Sequence, residues 1–459
     1  MSRTVRRLVR DMRSNDAGSA QTGQRGADPR AMREANRLLV LNCLREQGPL
    51  ARVTVAQRTG LSRTTVSSQV ERLLHEGLVR EGEPQNAAPS GGRRPILVHF
   101  NEVAGYILGV DLGRTHCTLV ATNLAAEVVA RQSGPCDTNR GPELTLRQLT
   151  AEIREFAARQ GIAWDRVLGI GMGIPGPVDS VGRRLVAPPR MPGWHGVDIP
   201  AILGRELNVP IYLGNDANMG ALGESRFGAG RGVEVLAYVK VGTGIGCGLV
   251  VDGRVYAGSR GFAGELGHMT IDELGPLCEC GNRGCLEAVT GAPAIVADAV
   301  AGLSLRRMAG AGDPSLPAAA TLTQAPALAG CALVDIADVV QAAQANDAAS
   351  QAAIMRAGEL IGIALAGLVN LVNPSLILLD GGVARAGGLL IEPIRRAIAA
   401  RSLAAASSVV RIEQGALGDN AIALGAVATV LDAAFGAPAS LTTVAPQKEG
   451  EVESALAHA

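Results

Sequence analysis

Lysine is almost absent from this chain. Lys240 and Lys448 are the only two among 43 basic residues in a length of 459, so arginine carries the positive charge, an imbalance that by itself assigns no function. The opening stretch 1–13 is charged and lacks a long apolar core, which excludes a secretory signal. No apolar run long enough to span a membrane is uninterrupted. The most apolar window, 360–379, is broken by Asn370, Asn373 and Pro374, and reads as a buried helix followed by a buried strand. Eight cysteines in a chain this long, three of them crowded into one short segment, do not read as a secreted disulfide framework. These absences predict a cytoplasmic protein with no membrane partner.

A formal net charge of zero conceals an uneven distribution. Residues 1–100 hold 17 Arg against 9 Asp or Glu, a surplus of +8, so the remaining 359 carry −8. A basic head on an acidic body points to a polyanionic partner for the head alone. The length allows two or three domains and a sizeable core. Residues 1–30 are polar and aperiodic and read as a disordered tail. Residues 31–101 read as a compact helical module with a hairpin, and 105–435 as a long α/β region. Within the latter, 306–330 is rich in Ala, Pro and Gly and reads as a surface insertion. Residues 436–459 lack a buried pattern and read as a second disordered tail.

In the head, a first helix over 33–47 places Leu38, Leu41 and Leu44 inside. A second runs over 53–59, Gly60 and Leu61 make a turn, and Ser62 is a good N-cap for a third over 63–76. On that third helix Val66, Val70, Leu73 and Leu74 form one apolar face. The other face carries Arg63, Thr64, Ser67 and Ser68, which together with Ser62 are groups suited to reading base edges in a major groove. Strands over 78–80 and 96–100 frame a wing, and its loop Gly91-Gly-Arg-Arg-Pro95 presents Arg93 and Arg94 as candidates for a minor groove. A small helical interaction module with solvated charges is the plainer reading of the same pattern; the Arg-rich wing favours double-stranded DNA.

The α/β region echoes itself. The run 106–121 reads strand, Gly turn, strand, with a third strand near 127–130; the run 236–251, then 254–256, repeats that order. Two similar lobes across a cleft are expected, with ligands where the Gly turns converge. Those turns are Asp111-Leu-Gly-Arg-Thr115, Gly242-Thr-Gly-Ile-Gly246 and Gly381-Gly382. Each alone is a weak signal, because a Gly-rich turn is more often only a tight turn.

The most specific signal is His268-x9-Cys278-x-Cys280-x4-Cys285. One imidazole and three thiolates suit a closed, tetrahedral, structural zinc site, and the small residues between the cysteines allow a tight knuckle. With Glu265 before the His and Glu287 after the last Cys, this segment resembles the ROK family of repressors and sugar kinases. Gly171-Met-Gly-Ile-Pro-Gly-Pro-Val-Asp179 and Gly214-Asn-Asp-Ala-Asn218 match the same pattern.

The resemblance implies an actin-like ATPase (ribonuclease H-like) α/β body of two lobes with an N-terminal winged helix-turn-helix. It implies that Asp216 is the base taking a proton from a sugar hydroxyl if phosphoryl transfer is retained, and that Asn215, Asp216, Glu265, His268 and Glu287 contact sugar. In the same way Asp111, Gly113, Thr115, Gly242, Thr243, Gly244, Gly246, Gly381 and Gly382 would face a nucleotide, with Mg2+ and ATP as cofactors only in that case. A homodimer or homotetramer is the implied assembly. Three residues depart from the kinase pattern: Arg114 and Cys247 stand where phosphate loops usually carry Gly, and Arg190 where a sugar-binding Asn is common. The expected function is therefore a sugar-responsive DNA-binding regulator, a repressor. An ATP-dependent sugar kinase carrying a DNA-binding head is the alternative, and a zinc-stapled binding protein with no DNA role is the third.

Overall fold

A computed structural model describes residues 29–84, 96–179, 184–186, 188, 191–310 and 335–436. Residues 1–28 and 437–459 of the expected tails, the wing-tip Arg93 and Arg94, Arg190 and the stretch 311–330 of the expected insertion lie outside the described residues, while Pro29 and Arg30, read as tail, open the first helix.

The head consists of α1 (Pro29–Gln47), β1 (Leu50–Ala51), α2 (Arg52–Thr59), α3 (Arg63–His75), β2 (Val79–Pro84) and β3 (Ile96–Phe100), with strand order β1-β3-β2. The expected punctuation holds. Gly60 ends α2 at φ 69°, a left-handed conformation that glycine adopts without strain. Ser62 caps α3 by accepting from the Thr65 N–H at 3.1 Å. The apolar face of α1 is rotated from expectation: Val40, Leu41, Cys43 and Leu44 are buried, while Leu38 is only half-buried.

A ring of charge fixes α1 against α3. The fully buried Arg37 guanidinium bonds Glu34 and Glu76, and Arg72 closes the ring by bonding the same two carboxylates. Buried charge is tolerated only when paired and hydrogen-bonded in this way.

The body is two lobes of one design. In the first, β4 (Tyr106–Leu112), β5 (His116–Thr122), β6 (Val128–Pro135), β7 (Val167–Ile174) and β8 (Ile211–Asn215) lie in the order β6-β5-β4-β7-β8. In the second, β9 (Val235–Val241), β10 (Ile245–Val251), β11 (Arg254–Val255), β12 (Leu376–Asp380) and β13 (Arg411–Gln414) repeat that order as β11-β10-β9-β12-β13. In both sheets the first three strands are antiparallel and the last two parallel, so the echo in the sequence is a structural duplication.

Helices α4 (Pro142–Arg159) and α5 (Ile199–Leu207) belong to the first lobe. Between the lobes' strands runs α6 (Asp216–Phe227). The second lobe adds α7 (Leu286–Thr290), α8 (Ala292–Gly310), α9 (Ile336–Gln344), α10 (Ala348–Val372), α11 (Gly388–Arg401) and the single turn α12 (Ala404–Ser407). Thus the first residues of the expected insertion continue α8. The chain then crosses back as α13 (Ala421–Phe435), which packs on α6 and on the first lobe's sheet. The apolar window reads as expected, α10 followed by β12. Among the described residues, two helices are long and apolar enough to cross a membrane, Ala348–Val372 and Gly418–Phe435, and both are more than half buried within the protein.

Glycine makes the α6–α13 contact possible. A Cβ at Gly425 would come within 1.7 Å of the Met219 carbonyl oxygen, and one at Gly223 within 2.2 Å of that of Ala421. The far end of α13 meets the head: the Phe435 carbonyl accepts from Asn42 Nδ2 at 2.8 Å, its ring stands edge-on to Phe100 at 6.2 Å, and Arg45 lies over it at 5.2 Å.

The charge ring gives a testable expectation. Arg37→Ala leaves buried carboxylate without its main partner and should cost the head about 3 kcal/mol. Both tryptophans, Trp164 and Trp194, lie in the body, so their fluorescence reports body unfolding while far-UV circular dichroism reports both parts. An early circular-dichroism transition with an unmoved fluorescence transition is expected. Coincident, unshifted transitions would show that the ring does not hold the head.

Candidate functional site

A cavity of about 490 Å³ opens between the lobes. Its walls bring together Asp111, Asn215, Asp216, the turn Gly242 to Gly246, Glu265, His268, Glu287, Gly381 and Gly382, residues far apart in sequence. Gly113 and Thr115 are not among the lining residues. The first turn instead presents Arg114 and His116, and the His116 ring lies so close over Gly113 that a Cβ there would meet it at 2.2 Å. Cys247 is buried on β10 and does not line the cavity, so its thiol, pushed up to about 12 by burial and then by Glu265, does not face a ligand there.

Local structure explains the placement of Asn215 and Asp216. Strand β8 ends on Asn215, whose Oδ1 caps α6 by accepting from the Asn218 N–H at 3.1 Å while its Nδ2 donates to the Gly176 carbonyl at 3.1 Å. Asp216 opens the helix, where an acidic group is favoured by the helix dipole. Its Oδ1 accepts from the Ala217 N–H, and its Oδ2 accepts from Lys240 Nζ, each at 2.8 Å.

Lys240 is a cavity-lining cation that no motif in the sequence marks. It stands on β9, with Tyr238 on the same strand face by the two-residue period. The Tyr238 hydroxyl donates to Asp380 Oδ2 at 2.7 Å, and Asp380 Oδ1 accepts from the Gly381 N–H at 2.6 Å. Burial alone would make Lys240 release its proton more easily, but the charges of Asp216 and Asp111 outweigh it and hold the ammonium protonated above its ordinary range. Asp111 Oδ1 is buried without a hydrogen-bond partner, and its Oδ2 faces His116 Nε2 at 3.4 Å. The available signal in the sequence was lysine's rarity, combined with two polar residues spaced by two in an apolar strand.

On the other side of the cavity, Glu287 opens α7 and its Oε2 accepts from the Ile245 N–H at 2.9 Å, tying the knuckle to the Gly242 turn. The Glu265 carboxyl is held above its ordinary range by burial first, with Asp216 and Glu287 adding to the shift and His268 opposing it.

The four knuckle residues do converge. The donor atoms of His268, Cys278, Cys280 and Cys285 lie within 4.8 Å of one another. Cys278 Sγ is 3.8 Å from His268 Nδ1, and Cys280 Sγ is 3.6 Å from Cys285 Sγ. For a tetrahedral ion with metal–sulfur bonds of about 2.3 Å, the ligand–ligand edge is about 3.7 Å, so these two donor pairs already sit at coordination spacing. His268 Nδ1 faces the thiols, leaving Nε2 toward Glu265 Oε2 at 3.9 Å. The set can hold a closed four-coordinate metal whose imidazole is oriented from the cleft side.

In the head, Arg63, Thr64 and Ser68 are exposed and Ser67 is half-buried. Ser62 Oγ is occupied by its cap and by the Thr64 and Thr65 hydroxyls. Arg37, Arg52 and Arg72 are engaged by acidic residues of the head itself. Arg58, Arg63 and Arg80 are exposed.

Comparison with known proteins agrees with this architecture. The ROK family pattern matches residues 107–433, and a winged helix-turn-helix DNA-binding pattern matches residues 33–80. The chain is 31% identical to the xylose repressor of Bacillus spizizenii over 407 residues, covering 88% of this chain and 97% of that protein. It is 30% identical to the glucokinase of Thermotoga maritima over 294 residues, covering 64% of this chain and 86% of the kinase, so the similarity to the kinase spans less of the chain. The crystal structure of a ROK family transcriptional regulator, a homologue of the Escherichia coli MLC protein, superposes with a TM-score of 0.72 at 27% identity, covering 88% of this chain and 97% of that one. This chain belongs to the ROK family, in the branch that carries an N-terminal winged helix-turn-helix.

Proposed function

We propose that this protein is a sugar-responsive, DNA-binding transcriptional regulator, a repressor of carbohydrate-metabolism genes, whose cleft senses a monosaccharide without phosphorylating it. The observation that carries the second half is Lys240 on Asp216. A general base must offer a free carboxylate lone pair to the hydroxyl it deprotonates. Both Asp216 oxygens are already engaged, Oδ1 by the Ala217 N–H and Oδ2 by the Lys240 ammonium, each at 2.8 Å. Residues around the first turn also fit Mg2+ and ATP badly: the ammonium already neutralises the carboxylates a metal would need, and His116 covers the backbone at Gly113. Sugar recognition suffers from neither change. Asp216, Glu265 and His268 still face the cavity with acceptors and donors that suit hydroxyl groups.

DNA is the partner of the head, read by Arg63, Thr64, Ser67 and Ser68 on α3, with Arg93 and Arg94 of the wing beside it. One such module covers a half-site, so a homodimer or homotetramer acting in the cytoplasm on an inverted repeat completes the reading. Zn2+ is the metal of the knuckle, held by His268, Cys278, Cys280 and Cys285 in a structural role. Binding of sugar and release of DNA are then linked equilibria, each shifting the other by the same coupling free energy.

Three measurements test these statements. Elemental analysis should find one zinc per chain, and Cys280→Ser should lower both the zinc content and the affinity for sugar, because Glu265 and Glu287 flank the knuckle; full sugar response in zinc-free protein would remove the metal from the account. Calorimetry with a sugar panel begun with D-xylose should show binding that MgATP does not change, and Asp216→Asn should weaken it about 10- to 100-fold, the value of a hydrogen bond to a charged group. ADP formation coupled to one sugar, and lost in Asp216→Asn, would promote the kinase reading. Finally, Arg63→Ala should cost about 1–3 kcal/mol of operator affinity if it reads a base edge, measured by fluorescence anisotropy on the protein's own upstream DNA; unchanged affinity would place α3 outside the groove.

A further inference from the structure

A second crevice, of about 300 Å³, lies between the lobes and shares only Asn215 with the lining of the first cavity. Its floor is one stripe of α6, Asn218, Leu222 and Arg226, spaced four residues apart so that all three face the same way. Val255 and Arg254 of the second lobe close one side, and Asp432 of α13 stands at the inner end. At the rim, Arg260 donates to Asp179 across the lobes at 2.9 Å.

The polar groups of this crevice are incomplete. Asn218 Oδ1 is buried and accepts nothing. Arg226 donates through a terminal nitrogen to Asp432 Oδ2 at 3.1 Å, but its Nε is buried without a hydrogen-bond partner, as is Nε of the neighbouring Arg45. Asp432 is influenced by three guanidinium groups, those of Arg226, Arg45 and Arg254, and Glu46 pairs with Arg45 at 3.6 Å. At the inner end Arg226 and Arg45 balance Asp432 and Glu46, and the exposed Arg254 on the side wall adds a positive charge beside the apolar Val255 and Leu222. A partly desolvated guanidinium with unused donors is a strong site for an oxyanion, since charge-assisted hydrogen bonds are about twice as strong as neutral ones.

We propose that this crevice binds a small hydroxylated organic anion, with its oxyanion on Arg226 and Arg254, its carbon body against Leu222 and Val255, and a hydroxyl donating to Asn218 Oδ1. A carboxylate and a phosphate monoester share this chemistry, and the test separates them. The position has a further consequence, which rests on the regulator reading. Asp432 lies one helical turn before Phe435, where α13 is bonded to Asn42 of the head. An anion that draws Arg226 away from Asp432 acts at that joint, so occupancy changes operator affinity without entering the sugar cavity.

The experiment uses the full chain, with glycerol 3-phosphate and lactate as probes, titrated calorimetrically at millimolar concentration and constant ionic strength against chloride. Saturable binding of at least one probe is expected; glycerol 3-phosphate alone assigns a phosphate site, and lactate alone a carboxylate site. Arg226→Met should weaken binding about tenfold or more. Because loss of Arg226 also strands Asp432, Val255→Phe provides a second variant that fills the crevice. It should abolish anion binding while leaving the D-xylose response intact, so failure here and failure of the regulator reading are told apart. No saturable binding of either probe, or equal binding in both variants, would overturn the proposal.

Discussion

The contact between α6 and α13 is the constraint on which the rest depends. Backbone meets backbone there because Gly223 and Gly425 have no Cβ, and any larger residue would drive the helices apart. Such a contact has no side-chain cushion, so the two helices move as one body or not at all. Helix α6 begins at Asp216 in the cavity and ends beside Asp432, through the Arg226 pair. Helix α13 begins near the cavity's Ile422 and ends in the head at Phe435. Cavity, crevice and head are thereby joined by two packed helices rather than by a loop.

Electrostatics gives the cavity its character. Asp111, Asp216 and Asp380 converge on one half-buried ammonium, and keeping the buried Asp111 and Asp216 charged would be costly without it. Glu265 lies outside that group, raised by burial and by the like charges of Asp216 and Glu287. A neutral ligand rich in hydroxyls can satisfy such groups without adding charge. A nucleotide with several negative charges would need its own cations in a space where the lysine already serves the carboxylates.

What was legible in the sequence follows from how local each feature is. The knuckle lies within eighteen residues, so ligand spacing alone was enough to assemble it. The duplicated strand order was visible because Gly turns and apolar runs recur in the same sequence, and the caps Gly60 and Ser62 act on their immediate neighbours. Features set by register across distant segments stayed hidden. Lys240 reaches Asp216 only because β9 runs beneath the start of α6, and Arg37 reaches Glu76 across 39 positions. Cys247 looked like a departure in a phosphate loop, but the alternation of β10 turns it into the core. Asn215, expected to contact sugar, lines the cavity and also caps α6 and bonds the Gly176 carbonyl, fold contacts that no spacing in the sequence displays.

Linkage between a ligand and DNA requires two arrangements of one element, each preferred by a different partner. The head shares one buried apolar core with the body, Val40, Leu41 and Leu44 clustering with Val427, Val430, Leu431 and Phe435 of α13, and directional contacts are added at its end: Asn42 to the Phe435 carbonyl, Phe100 against the Phe435 ring, and Arg45 above it. These three meet at the last residue of α13, within that common core, so a displacement of the helix carries the module with it as a packed body. The charge ring of Arg37, Glu34, Arg72 and Glu76 keeps α1 and α3 rigid with respect to each other. A displacement of α13 then reaches α3, the helix that carries Arg63, through packed elements rather than through a loop. In a dimer each small rotation separates or aligns two such helices, and the spacing of half-sites on a duplex tolerates little error. A rigid head whose core is continuous with α13 thus suits a sugar-responsive regulator that must convert ligand binding in the body into a change of fit to DNA.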